Sequence, residues 1–521
     1  MKNLRKSDSK AYWSLLNKCD TKGNKAVNKI AMDVLYDHFK NLNALDEQDD
    51  NDIVLPNNIT DYNIELNRDI TEDEVLYAVK SLKNNKACGG DLILNEFLKY
   101  GTVKLMPVFV RIFNIVFHSG IIPDSWSEGY ICPIFKNKGN PNDVDNYRGI
   151  TILSCYGKLF TCILNNRLHT YLENSGLLCE EQAGFRKGYS TTDHIFNLKC
   201  LIDLYLHRGR KLYCVFVDYR KDFDSVRRVY LWQKLLKCSI DGKMFKIINS
   251  MYNNAKSCVR QGNFCSNFFK SNVGVRQGEN LSPVLFAIFL NDLVEFMSHS
   301  YNGLVDMSIA ARLIDTDEVA VYFRLYLLLY ADDTVMLAES AAELQASLNA
   351  MYLYCQTWKM QVNISKTKVV IFSRSRLNTD NMNFKYSGES LNIVTNFQYL
   401  GIIFSCKGNF NDAKAHLVQQ ARKAMFIVLR KARKLNLPID MQLELFDTMV
   451  VPILLYGAEV WGFENCNIIE NLHMQCCKII LNVKKSTAHC MIYGELGRIP
   501  LHILIKARMV GFWQRIMCGK R

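Results

Sequence analysis

The sequence predicts an α+β chain in which short apolar strands are set among longer amphipathic helices, with a helical C-terminal part. Three observations carry this. Two apolar runs, Tyr213–Val217 and Leu325–Leu329, each stop at an Asp-bearing turn, as buried strands do. The string Thr71-Glu72-Asp73-Glu74 is a capping box that opens a stretch of helical apolar spacing. From Asp412 onward helical periodicity dominates.

Taken in order, Met1 to about Leu42 looks helical and mixed in charge. Asp46, Glu47, Asp49, Asp50 and Asp52, continuing to Asp61 and Glu65, form an acidic stretch with few large apolar residues, which reads as a linker. The helix opened at Thr71 places Val75, Val79 and Leu82 on one face, and Lys86-Ala87-Cys88-Gly89-Gly90-Asp91 ends it. A second amphipathic helix is predicted over about Leu105–Phe117, then a strand over Gly129–Phe135. The Gly-, Asn- and Asp-rich segment Lys136–Tyr147 should be a loop, and Ile150–Leu172 a helix. Phe397–Phe404 reads as a strand pair or hairpin. In the C-terminal helices Arg422, Lys423, Arg430, Lys431, Arg433 and Lys434 are expected on exposed faces. No repeat recurs at a fixed period.

The chain's 521 residues can form several subdomains, each with its own core. Hydrophobic residues at 49% and charged residues at 22% exclude a largely disordered protein. A net charge of +13 permits a polyanionic partner without demanding one. The 18 cysteines follow no disulfide framework, and Cys155, Cys162, Cys200, Cys214 and Cys355 lie in apolar periodic segments, where a reduced thiol behaves as a small hydrophobe. Cys466, Cys476, Cys477 and Cys490, with His473 and His489, match no zinc-ligand spacing. The N-terminus has no signal-peptide pattern, and the runs around Leu325–Tyr330 and Met449–Tyr456 are too short to span a bilayer. A soluble protein of the nucleus or cytoplasm, neither secreted nor in a membrane, is expected.

Two acidic clusters carry chemistry. Phe216-Val217-Asp218-Tyr219-Arg220-Lys221-Asp222-Phe223-Asp224 ends an apolar strand in Asp218. Leu329-Tyr330-Ala331-Asp332-Asp333-Thr334-Val335 places paired aspartates between apolar flanks, the pattern of a hairpin tip. Carboxylates on buried strands are costly unless something pairs their charge. Hard oxygen ligands suit Mg2+, and two such ions about 4 Å apart activate a hydroxyl and stabilise a leaving pyrophosphate. A lone Asp-Asp pair is more often a solvated turn; the complete Tyr-Ala-Asp-Asp with the first cluster upstream reverses that balance.

Together these residues resemble the reverse transcriptase motifs of jockey-like, non-LTR (LINE-type) retrotransposons. Asp218 is similar to the family's first catalytic aspartate, Tyr330-Ala331-Asp332-Asp333 to its YADD box, and Gly274-Val275-Arg276-Gln277-Gly278-Glu279-Asn280-Leu281-Ser282-Pro283 to its GVRQG…LSP motif. Motif matches run from about Thr71 to the C-terminus. The resemblance implies metal binding and catalysis by Asp218, Asp332 and Asp333. It implies nucleotide contacts by Lys136, Arg148, Tyr219, Phe223, Gln277, Gly278 and Lys366. Arg148 lies in the finger-like Asn146-Tyr147-Arg148-Gly149-Ile150, and Lys366 in Asn363-Ile364-Ser365-Lys366-Thr367-Lys368, the loop near the leaving pyrophosphate. Phe223 stands where an aromatic ring excludes a 2′-hydroxyl. Gln182, Gly184 and Arg186, followed by Ser190-Thr191-Thr192-Asp193, resemble the template-contacting segment, and Tyr399, Leu400 and Gly401 the primer grip. Tyr456-Gly457-Ala458-Glu459-Val460-Trp461-Gly462 and Gly494-Glu495-Leu496-Gly497 resemble segments beyond the thumb, read here as packing.

The implied fold is the right-hand polymerase: fingers, a palm with an antiparallel sheet, and a helical thumb. The chain then divides into an N-terminal helical segment and linker (1–70), a helical extension (71–125), fingers and palm (126–405), and thumb with C-terminal extension (406–521). The implied partners are an RNA template, a DNA primer or target, and dNTPs, with Mg2+ or Mn2+ as cofactor. One departure stands out: Asp222 occupies a position where the family usually has Ala. There it is expected to face the triphosphate and repel it, unless solvent or a neighbour such as Arg220 or Arg227 takes up its charge. No apurinic-type endonuclease precedes Thr71 and no RNase H or zinc knuckle follows the thumb, so a fragment or truncated copy is expected. An RNA-dependent RNA polymerase is the rival of the same class, opposed by the YADD box and Phe223. A catalytically impaired nucleic-acid-binding relic is the rival of another class, opposed by the full set of carboxylates.

Overall fold

The computed structural model describes residues 30–44, 63–300, 327–375 and 382–518. Most of the acidic linker and the first residues of the N-terminal segment lie outside them. Helix Met32–Leu42 is described, and it packs on the sheet that contains Glu128–Phe135. Its Leu35 and Phe39 join Ile131, Tyr147, Val259 and Phe269 in a small core on the finger sheet. That sheet pairs Glu128–Phe135 antiparallel with Tyr147–Ile152 and parallel with Lys256–Gln261.

The capping box forms as expected: Thr71 accepts from the Glu74 amide, and Glu74 reaches back to the Thr71 amide. The helix predicted over Leu105–Phe117 is longer, Asn95–Ser119. It is apolar and long enough to cross a membrane, but it packs Phe109, Phe113 and Phe117 into the main core. One prediction is corrected. Ile150 does not start a helix; Tyr147–Ile152 is a strand, and the helix is Cys155–Asn174, capped by Ser154. The β-branched Ile150, Thr151 and Ile152 extend the sheet until that cap can accept an orphan amide.

The palm sheet has five strands, in the order Asn392–Ile393, Lys368–Phe372, Leu212–Val217, Asp333–Ala338, Leu327–Tyr330. Leu212–Val217 lies between Lys368–Phe372 and Asp333–Ala338 and is buried along its whole length, which explains its unbroken apolar run. Helices Thr191–His207 and Ala341–Thr357 pack on it. A separate hairpin, Asn396–Tyr399 with Ile402–Ser405, leads into helix Asn411–Lys434 and the helical C-terminal part. On that helix Lys431 is buried, not exposed as expected. The C-terminal Cys and His residues assemble no metal cluster among the described residues. His473 is buried between Glu470, 3.0 Å from Nδ1, and Arg498, 3.3 Å from Nε2.

Buried cations tie the layers together. Arg167 donates to both Glu74 oxygens and to the carbonyls of Leu66, Arg68 and Asp69, fastening the N-terminal extension to helix Cys155–Asn174. Lys234 donates to the Phe289 carbonyl at 2.5 Å, Asp292 at 2.6 Å and the Tyr354 hydroxyl at 3.1 Å, with its ammonium 3.8 Å from the Trp358 ring centre. Burial pulls its pKa down to about 8, against the pull of Asp292. Removing one partner of such a knot leaves the other buried without its counter-charge. Lys234→Ala is therefore expected to lower unfolding free energy by ~3 kcal/mol, read from the denaturant midpoint. A loss below about 0.5 kcal/mol, the range of a surface substitution, would show that the knot does not hold these helices.

Candidate active site

The register of the palm sheet builds the site. Val217 pairs with Thr334, so the next residue, Asp218, emerges opposite Asp333. Tyr330 pairs with Asp333 across the second hairpin, leaving Ala331 and Asp332 as a two-residue turn. Ala331 takes φ 59°, a conformation costly for a residue with a Cβ, so the turn needs support from elsewhere.

The segment Gln182–Arg186 gives that support. The Gln182 side-chain oxygen accepts from the amides of Ala331 at 3.1 Å and Gly184 at 2.8 Å. Leu329 exchanges backbone bonds with Glu181 and Ala183, each 2.9 Å, and His194 Nε2 meets the Leu329 carbonyl at 2.9 Å. Gly184 must be Gly here, because a Cβ would stand 2.1 Å from the Ala331 nitrogen. Gln182 and Arg186, expected at the template, are buried beneath the turn. Arg186 grips Glu173 with two bonds of 2.9 Å and donates to the carbonyls of Cys179 and Gln182. Sequence reasoning missed His194; its place in a helix that packs on the strand before the turn was the available signal.

On the other side, the loop Asn363–Thr367 wraps Asp218. The Asp218 amide donates to Thr367 Oγ1 at 3.2 Å, its carbonyl accepts from Asn363 at 2.7 Å, and Lys366 Nζ lies 3.3 Å from Oδ2. Tyr219 turns its ring into the core, where its hydroxyl accepts from Thr334 at 3.4 Å. Arg148 stands on the finger strand opposite Ile134, and Lys136 donates to the Asp145 carbonyl at 2.8 Å. Burial and then the charges of Lys366 and Arg148 depress the Lys136 pKa, so these cations form one group. Lys221 belongs to it too, and sequence reasoning missed it.

The acids crowd in the same way. Burial, then Asp332 and Asp218, lift the Asp333 carboxyl to about 6. Asp222 does not behave as expected. Lys221 takes φ 55° and the short helix Asp222–Ser225 follows at once. The Asp222 carboxyl is hydrogen-bonded to Asp332, and burial and that neighbour push its pKa well above the carboxylate range. The donor set is hard carboxylate oxygens, which suit divalent cations. No three of the described side chains converge closely enough to hold one ion as they stand.

Phe223 stacks on Phe286 at 4.8 Å and meets the edge of Phe185 at 6.4 Å. The Gln277 carbonyl accepts from Thr151 at 2.9 Å, bringing Gly278, φ 105°, against the finger strand. Leu400 and Gly401 form the hairpin turn, with φ 46° and 82°. The Tyr456 hydroxyl donates to the Leu400 carbonyl at 2.9 Å, a role the sequence did not reveal. Tyr399 is buried, and its hydroxyl has no hydrogen-bond partner.

A family model described as "Reverse transcriptase (RNA-dependent DNA polymerase)" matches residues 135–404, just over half of the chain. The "Probable RNA-directed DNA polymerase from transposon BS" of Drosophila melanogaster is 27% identical over 434 residues, 81% of this chain and 46% of that protein. The "RNA-directed DNA polymerase from mobile element jockey" of the same species is 24% identical, covering 75% of this chain and 41% of that protein. The chain thus spans under half the length of these two relatives. A solved apo telomerase from Candida tropicalis superposes loosely, with TM-score 0.37 and 12% identity over 75% of this chain and 73% of that one.

Two outcomes are expected. Because the Phe223 ring is fixed between Phe185 and Phe286, Phe223→Val should open space beside the sugar and raise ribonucleotide incorporation at least about tenfold, ~1.4 kcal/mol of discrimination. Unchanged sugar discrimination would make Phe223 a core residue only. Because Asp222 engages Asp332, its protonated carboxyl competes for an oxygen that a cation would need. Asp222→Ala should therefore lower the Mg2+ concentration for half-maximal synthesis at pH 7 by about fivefold, ~1 kcal/mol. The difference should close toward pH 9, as Asp222 in the parent chain loses its proton. A fall in nucleotide KM with no change in Mg2+ demand would return Asp222 to the triphosphate.

Proposed function

The chain belongs to the reverse transcriptase family, on the non-LTR retrotransposon branch of its relatives, and from this premise we propose that it carries the complete DNA-synthesising site. The reaction is template-directed transfer of a nucleotide from a dNTP to a primer 3′-hydroxyl, on an RNA template. The observation that carries the reading is the strand register that sets Asp218 opposite Asp333 and beside the Ala331-Asp332 turn.

In this reading Asp218 and Asp332 hold Mg2+ or Mn2+, and Asp333 assists. Two such ions would supply a lowered pKa at the primer hydroxyl and an oriented triphosphate. Lys136, Arg148 and Lys366 neutralise the phosphates, acting as fixed charges that cost little reorganisation. Phe223 bounds the sugar, and Gln277 and Gly278 border the nucleotide. Leu400 and Gly401 face the primer side, and Tyr399 is buried behind them. On the template side Gln182, Gly184 and Arg186 are all buried, so they act there only by holding the turn in place. Such substrates place the work in the nucleus or cytoplasm.

Extension of a primed homopolymer RNA with Mg2+ or Mn2+ tests this. The parent chain should extend the primer, and Asp218→Ala and Asp332→Ala should each lose at least about a hundredfold in rate, ~2.7 kcal/mol of transition-state stabilisation. Melting temperatures should fall little or rise, since each substitution removes a charge from a repulsive cluster. Extension near the parent rate by either variant would refute the metal assignment. An inactive parent chain with a normal melting curve would favour the impaired relic.

A further inference from the structure

Phe223 and Gln277 stand on one backbone frame. The Phe223 carbonyl accepts from the Val275 amide at 2.8 Å, and the Val226 carbonyl from the Gly274 amide at 2.9 Å. Arg228 locks this frame from below, donating to the carbonyls of Gly274, Ser271, Val273 and Tyr252. Across it lies one side-chain bond: Gln277 Nε2 donates to Asp224 Oδ2 at 3.1 Å. Asp224 and Gln277 line a narrow cavity together with Gly149 and Thr151 of the finger strand.

A carboxylate is an expensive group to bury here unless it does something a neutral side chain cannot. Burial raises the Asp224 pKa to about 6, with Lys221, the Gln277 bond and Arg148 pulling it down. It is thus ionised at pH 8. An ionised carboxylate only accepts hydrogen bonds, whereas an amide can present either end. Facing Asp224, Gln277 must turn its NH2 inward, which leaves its carbonyl oxygen as the end offered outward.

We propose that Asp224 is a positioning residue: it fixes the orientation of the Gln277 amide, so that the incoming nucleotide meets a hydrogen-bond acceptor on the same frame that carries Phe223. Asp224 does not touch the reacting atoms. The proposal rests on the reading that Gln277 borders the nucleotide.

Single-nucleotide extension at varied dNTP concentration, with a melting curve for each variant, separates the two. Gln277→Ala should raise KM about tenfold with a smaller change in kcat, as the loss of a hydrogen bond shared by ground and transition states does. Asp224→Ala should raise KM by a similar factor. Asp224→Asn should recover most of it, because its own carbonyl can accept from Gln277. The double variant Asp224→Ala with Gln277→Ala should be no worse than Gln277→Ala alone. A swap covers the case in which Asp224→Ala does not fold: Gln277→Glu sets two carboxylates together and should raise KM, and adding Asp224→Asn, whose NH2 can donate to the new carboxylate, should bring it back down. An unchanged KM in Gln277→Ala would overturn the nucleotide reading of Gln277 and the proposal with it. A raised KM in Gln277→Ala with none in Asp224→Ala, additive effects in the double variant, or no rescue in the swap would overturn the role of Asp224 alone.

Discussion

The repulsion among acids at one end of the palm sheet is the constraint to which the surrounding structure answers. Strand pairing forces Asp218 and Asp333 to face each other, and the turn adds Asp332. Asp222 comes in from the next segment and engages Asp332. Like charges a few ångströms apart in a poorly solvated place cost several kcal/mol between them, roughly 4 kcal/mol per pair at 4 Å and an effective dielectric of 20. Asp222 and Asp333 respond by holding protons more tightly than exposed acids do. Near them stands the converse arrangement, in which Lys136, Arg148, Lys366 and Lys221 crowd one another and weaken the hold of Lys136 on its proton. Neither group is comfortable alone. One group favours cations and the other a polyanion, and the metal-bound triphosphate of the proposed reaction would answer both at once.

Such a site keeps its geometry only if the backbone around it cannot relax. Relaxation would be easy at Ala331, whose left-handed φ costs roughly 1 kcal/mol or more. The Gln182 amide, the His194 ring and the missing Cβ of Gly184 close the routes by which the turn could swing away. Further out, buried arginines do the same for larger pieces. A guanidinium has five donors in a rigid plane, and Arg228 uses them on four carbonyls of the segments beneath Gln277. Arg167 binds the N-terminal extension to the helix after the finger hairpin, and Arg186 binds the support of the YADD turn to Glu173. These charges are placed where segments distant in sequence must stay in register, which a nonpolar contact would allow to slide.

The clustered carboxylates of the candidate site were legible because their signal is local: an apolar run, a turn and an acid lie within a few residues. The same holds for the capping box at Thr71 and the hairpin around Leu400–Gly401. The strand Tyr147–Ile152 was misread because it runs straight into a helix, and only Ser154 marks the change. What was not legible depends on long separations. Gln182 reaches the Ala331 amide across 149 positions, and Tyr456 reaches Leu400 across 56. Nothing in the neighbourhood of either donor or acceptor announces its partner. Family resemblance assigned Gln182 and Arg186 to the template side, and burial shows that their side chains are spent on the protein itself.

Asp222 shows how a local rule can mislead in the same way. Read along the chain, a carboxylate between Lys221 and Phe223 belongs beside the triphosphate, where it would oppose binding. That reading assumes the backbone continues extended past Tyr219. Instead Lys221 adopts a left-handed conformation and Asp222 becomes the first residue of a helical turn. With that left-handed residue the extra carboxyl lies against Asp332. There its effect depends on the proton it holds. Protonated, it donates to Asp332 and occupies that oxygen; ionised, it adds another negative charge to the cluster. Under the proposed reading, the departure from the family's usual Ala would bear on how the site takes up cations and at what pH, and the cationic group at Lys136, Arg148 and Lys366 would be left to the triphosphate.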